Sequence, residues 1–227
     1  MTERTLDRIG SATGAVAVLV AFVALGLAGL AGRGSPAVRP GWDASTQQIV
    51  AFTSHPVSGL IFVADGMEST AFLLLTVFFV KLLLGLKRSE GGTGWLSVAA
   101  MAGAVVYIVF DQTRFVLSAA RTLAPGHHFS SSEAATFFDL GNALTSFTWG
   151  AIAMLMIPMG LAALRTNAFP LWLSWAALLI GLANLVWAFL PVGGTATPAE
   201  LAFLAWILVA SLSLVWRPRK TAKPARD

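Results

Sequence analysis

Residues 57–86 run for thirty positions in which only Asp65, Glu68 and Lys81 are charged. A helix needs roughly 20 apolar residues to cross the hydrocarbon core of a bilayer, so a run of this length reads as a membrane span. Six such runs are read in the 227 residues, at about 12–32, 57–86, 94–118, 133–164, 170–191 and 199–216. They are continuous rather than alternating, which points to helices and away from a β-barrel. Composition agrees. Only 11% of residues are charged, against about a quarter in a soluble domain, and the mean hydropathy is +0.75. The expected fold is therefore all-α, a six-helix integral membrane bundle forming a single transmembrane domain, with the lipid bilayer as its first partner.

Lysine and arginine orient the bundle. With the N-terminus inside, the cytoplasmic set is Arg4, Arg8, Lys87, Arg88, Arg165, Arg217, Arg219, Lys220, Lys223 and Arg226, while the outer loops hold Arg33, Arg39 and Arg121. Ten against three is a positive-inside bias with both termini cytoplasmic. Trp95, Trp172, Trp175 and Trp216 then fall at the inner interface and Trp42 on the outer side. The net charge of +4 is explained by this placement, so nucleic acid is not expected as a partner. The first apolar run has a short basic flank but is too long for a signal-peptide core, and it is expected to be retained.

Local chemistry marks several helix ends. Ser130 to Glu133 reads as a capping box opening the fourth span, and Thr197-Pro198-Ala199-Glu200 as a cap opening the sixth. Pro56 and Pro170 are expected to open spans, Pro191 to close one, and Pro158 to kink the fourth. Residues 33–56 form a longer outer loop whose stretch 43–54 reads as a short helix on the membrane surface or over the bundle. Small residues at Ala24, Ala28 and Gly32 suit close helix packing, within the chain or in a homo-oligomer.

Spans two and three echo spans four and five. Asp65 and Glu68 correspond to Asp139 and Asn142, Lys87-Arg88 to Arg165, and Trp95 to Trp172. A parallel repeat of helical hairpins is one reading of that pattern. The passage Ile157-Pro158-Met159-Gly160, Leu164-Arg165, Phe169-Pro170-Leu171-Trp172-Leu173-Ser174-Trp175 resembles the inner hairpin turn of a broad group of uncharacterised bacterial multi-span inner-membrane proteins that share a domain of unknown function. The resemblance covers spans four and five. It implies a bacterial inner-membrane protein of six or seven spans, and it carries over no activity and no site residue.

Polar residues inside spans are costly and default to functional hypotheses. Here they fall on shared helical faces: Tyr107, Asp111, Arg114, Ser118 and Arg121 in span three, Asp65 and Glu68 in span two, Asp139, Asn142, Ser146 and Trp149 in span four, and Asn184 with Trp187 in span five. Antiparallel spans place all of them in the outer third of the membrane. The outer half holds Asp43, Asp65, Glu68, Asp111, Glu133, Asp139 and Glu200 against Arg33, Arg39, Arg114 and Arg121, three negative charges in excess. The inner half reads as apolar and sealed, with Lys81 snorkelling to the inner headgroups. The expected ligand-binding set is Asp65, Glu68, Tyr107, Asp111, Arg114, Asp139, Asn142 and Asn184, lining an outward-facing acidic pocket. Asp111 and Arg114 also read as a structural clasp, and Glu133 and Glu200 as helix caps.

Absences narrow the chemistry. Cysteine is absent, which removes iron–sulfur and thiolate sites. No phosphate-binding glycine loop or metalloprotease pair occurs. No span carries a histidine for haem, and the last span has no central lysine for retinal. His127 and His128, with His55, Glu133 or Asp139, are the candidate ligands for a transition metal. Three functions remain open at this point: binding or transport of a cation or small polar solute, a metal-dependent hydrolase or transferase at the outer leaflet, and a structural or accessory subunit of a membrane complex.

Overall fold

The computed structural model describes residues 3–32, 44–54, 59–123, 130–190 and 197–216. Among these residues the chain is helical with short turns and no strand. The helices are α1 (Glu3–Gly32), α2 (Thr46–Ser54), α3 (Gly59–Glu90), α4 (Trp95–Leu123), α5 (Ser131–Thr166), α6 (Leu171–Ala188) and α7 (Pro198–Trp216). All but α2 are long and apolar enough to cross a membrane. Their outer faces carry large apolar side chains such as Leu73, Val105, Phe147 and Leu179, which water would not tolerate in such number. The protein is a multi-pass membrane protein whose helices face lipid.

The six long helices close into a ring. Each packs on its neighbour in the order α1, α3, α4, α5, α6, α7, and α7 returns to α1, while α3 also meets α5 across the middle. Small residues set the tightest contacts. A Cβ on Gly103 of α4 would meet the Leu155 backbone nitrogen of α5 at 2.4 Å, so that seam is backbone against backbone. Gly14 of α1 lies against the Phe78 ring of α3. The expected stripe on α1 is used only in part: Ala24 is buried, whereas Ala28 is exposed. The core between the helices is filled by Phe78, Phe79, Leu155, Met156, Met159, Phe203 and Ile207.

Most helix ends follow the local signals. Ser130 accepts from the Glu133 N–H and the Glu133 carboxylate accepts from the Ser130 N–H at 2.7 Å, closing the capping box of α5. Thr197 Oγ1 accepts from the Glu200 N–H at 3.1 Å. Pro170 is the N-cap of α6, and α5 runs unbroken through Pro158. The two tight turns differ in device. Gly91, Gly92 and Gly94 all take positive φ between α3 and α4, while a single left-handed Asn167 ends α5. Glu90 adds a cap that no sequence signal marked: its carboxylate accepts from the N–H groups of Leu96 and Ser97 and from the Ser97 hydroxyl, covering the start of α4. The short helix expected over 43–54 is α2, and it packs on α5 with Ile49 buried. Pro56 and Pro191 lie outside the described residues.

Lys81, expected to snorkel to the inner headgroups, has protein partners near the start of α1. Its Nζ donates to the Asp7 carbonyl and the Ser11 hydroxyl of α1. Ser211 of α7 donates to the Ser11 carbonyl and accepts from the Ala15 N–H. That half of the bundle is therefore not wholly apolar. A polar clasp joins α1, α3 and α7 there, because a hydroxyl and an exposed carbonyl within reach satisfy the ammonium better than a stretched path through lipid.

Candidate functional site

The opposite end of the bundle gathers a second polar group. Arg114 and Asp111 lie one turn apart on α4, so their side chains share a face. Arg114 Nε lies 2.8 Å from Asp111 Oδ1, and a second guanidinium nitrogen lies 2.8 Å from the same oxygen. The Asp111 side chain is almost fully buried. Arg114 also reaches across to α3, where Glu68 Oε1 stands 3.5 Å away. Ser69 donates to Gln112 beside this pair at 3.4 Å. Glu68 keeps a third of its side-chain surface open, so the network has an accessible edge.

Other groups surround this core. Asp65 precedes Glu68 by three residues and its charge acts on Glu68. Tyr107, one turn before Asp111, is buried among Phe72, Phe79 and Phe203, with ring centroids 5.3–6.5 Å apart. Glu200 comes from the first turn of α7. Its carboxylate takes a hydrogen bond from Trp149 of α5 and lies within electrostatic reach of Arg114, Asp111 and Glu68. Among the described residues, three helices thus place three carboxylates within contact or electrostatic reach of the Arg114 guanidinium.

The structure brings Glu68, Tyr107, Asp111 and Arg114 together as a group, with Asp65 beside it. Asn142 on α5 is buried, and Asn184 on α6 is fully buried against α7. Asp139 is exposed on α5 and takes part in neither of the ion pairs described above. Glu200 is the residue that sequence reasoning assigned to a single task. It caps α7 and also lies within electrostatic reach of Arg114. The signal was its place in the acidic outer set, yet nothing in the chain said that α7 closes the ring between α6 and α1 with its first turn within electrostatic reach of Arg114.

The metal candidates fare differently. His55, His127 and His128 lie outside the described residues. Among the described residues no three His, Asp or Glu side chains are grouped so as to hold a metal ion. Glu133, a partner considered for the histidines, is occupied by Ser130 in the capping box. Hydrogen bonds from the Ser130 hydroxyl and N–H hold its carboxyl below the ordinary value of 4.5.

Chemically, the group can hold positive charge. Asp111 is matched by Arg114, which leaves Glu68 and Glu200 in excess, and buried anions in an apolar slab demand a partner. No family model matches the chain, and no curated protein or solved structure matches it either.

Proposed function

We propose that this chain is a multi-pass protein of a bacterial inner membrane, with both termini cytoplasmic, that binds and moves a cation or small polar solute through an outward-facing acidic site. The observation that carries the reading is the imbalance, among the described residues, of Glu68, Asp111 and Glu200 against Arg114. Carboxylates withdrawn from water repel one another and gain by taking up positive charge. Asp111 holds Arg114 in place, and the guanidinium keeps the local excess at a level that a small cation can neutralise. Glu68, at the open edge, is the entry carboxylate, and Asp65 lies beside it.

Thermal unfolding of the purified protein, screened against inorganic and organic cations at constant ionic strength, tests this. A cation of the right class should raise the midpoint saturably, and Glu68→Gln should abolish the rise while leaving a folded protein. A flat response to every cation would overturn the reading. It would favour the second one, a structural subunit, which draws on the fact that Asp111 and Arg114 already satisfy each other within one helix.

A further inference from the structure

The acidic group rests on rings. On α3 Phe72 follows Glu68 by four residues, on α4 Tyr107 precedes Asp111 by four, and on α7 Phe203 follows Glu200 by three. Each ring therefore shares a helical face with a carboxylate and lies one turn, about 5–6 Å, further into the bundle. Phe79 of α3 completes the set. Ring centroids stand 5.9 Å apart for Phe72 and Tyr107, 5.3 Å for Tyr107 and Phe203, 6.5 Å for Phe79 and Tyr107, and 6.3 Å for Phe79 and Phe203. Tyr107 meets Phe79 and Phe203 edge to face, whereas Phe79 and Phe203 stack. All four are buried, so among the described residues they form one aromatic layer joining α3, α4 and α7. Beyond it Leu83, Ala100 and Leu155 fill the interior, and none of them offers an ion a ligand.

Packing alone does not account for the one polar member. Three of the rings are phenylalanine, and the fourth belongs to the sole tyrosine of the chain. Its hydroxyl lies within electrostatic reach of Asp111, Glu200, Arg114 and Glu68. A buried phenol carries a desolvation cost that a fourth phenylalanine would not. What the hydroxyl adds is a link between the charges on one side of the layer and the rings that compose it.

We infer that the four rings are the gate of the acidic site: packed as they stand, they stop a cation one turn beyond Glu68 and Glu200, and Tyr107 carries the occupancy of the site to them. This rests on the cation-binding reading above and adds its regulation. A cation held among the carboxylates changes the field at the Tyr107 hydroxyl. The ring that bears this hydroxyl then shifts against Phe79 and Phe203, which pack on its face and edge. Each ring is a rigid plate pivoting on staggered torsions, so a rotamer change in one of them opens the layer without moving a helix.

The chain has no cysteine, so Ala104→Cys, at a buried position on α4 one turn beyond Tyr107, gives a single thiol behind the layer. The full chain in nanodiscs is exposed to silver ion in nitrate buffer, and the thiol left unreacted is counted with a fluorescent maleimide after denaturation. With native rings the thiol should react at least tenfold more slowly than in the unfolded chain, and adding Phe203→Ala should remove most of that protection. A cation that raises the unfolding midpoint should speed the reaction at least tenfold. Tyr107→Phe should erase that dependence and leave the unstimulated rate slow. It keeps the ring, so it decides the matter if Phe203→Ala does not fold. A thiol unprotected behind native rings, or protection that survives in folded Phe203→Ala, would overturn the inference and leave the rings as core packing. So would a cation that raises the midpoint without changing silver access, or whose effect Tyr107→Phe leaves intact. In each of these cases the saturable thermal response still supports the broader reading, whereas silence to every cation would remove both.

Discussion

Two polar groups occupy opposite halves of this bundle, about 20 Å apart along α3 if its 1.5 Å rise per residue is counted from Glu68 to Lys81. Each contains one cationic side chain taken from water. Lys81 donates to a carbonyl and a hydroxyl of α1, both neutral acceptors. Arg114 pairs with Asp111 and Glu68 and lies within electrostatic reach of Glu200, so that group is built of charges. The difference teaches that an ionisable residue in a span does not by itself mark a site. The charge of its partners does. A clasp onto neutral carbonyl and hydroxyl groups fixes helix positions, whereas several carboxylates around a guanidinium retain an appetite for charge.

The largest expected effect lies in the tight pair. Asp111→Ala strands the Arg114 guanidinium with only the longer Glu68 contact. Breaking a buried pair in this way costs about 3–5 kcal/mol, to be read from unfolding in detergent. A loss below about 1 kcal/mol would mean that solvent already serves Arg114, and the contrast between the two ends would collapse. Lys81→Met should cost less, about 1–2 kcal/mol, because it removes the charge together with its demand and leaves only hydrogen bonds to lose. It should also leave any cation response unchanged. If Lys81→Met abolished that response, the two ends would be coupled rather than distinct.

Glu68→Gln should move stability by no more than about 1 kcal/mol, as expected for a partly exposed partner, while abolishing the cation response. A large stability loss without a change in binding would reverse the assignment of roles between Glu68 and Lys81. The smallest effect concerns Glu133, an exposed carboxylate satisfied by hydrogen bonds alone. Its folded-state pKa lies below 4.5. Its support of the α5 start is therefore complete above that value and is lost as the pH falls through the folded-state pKa. Amide exchange over residues 131–135 should be slower in wild type than in Glu133→Ala at pH 6, and the gap should close towards pH 3. The absence of a gap at either pH would show that the Ser130 hydroxyl alone makes the cap.

Much of this is legible in the chain itself. The spans, the capping box at Ser130, the cap at Thr197 and the short helix after residue 43 each depend on neighbours within a few positions, and such signals are written locally. The shared face of Tyr107, Asp111 and Arg114 follows from helical spacing in the same way. Glu200, Asn184 and Lys81 were harder for one reason. Their partners are 15 to 130 residues away in the chain, and periodicity does not say which helices become neighbours. Glu90 was missed because a carboxylate that caps the next helix across a glycine turn has no fixed spacing signature.

The sequence by itself determined that this is a helical membrane protein with six apolar helices long enough to span, and that acidic residues concentrate towards one end. Length and hydropathy suffice for that, since each helix must satisfy its own backbone in lipid. Only the tertiary structure decided that α7 closes the ring between α1 and α6, which brings Glu200 to Trp149 and the Asn184 amide nitrogen to the Ala199 carbonyl, and that α1 packs on α3, which seats Lys81 against α1. Side-chain packing between helices makes that choice. Glycines such as Gly14 and Gly103 admit one close neighbour each, and a complementary surface is a property of two helices rather than of either sequence alone.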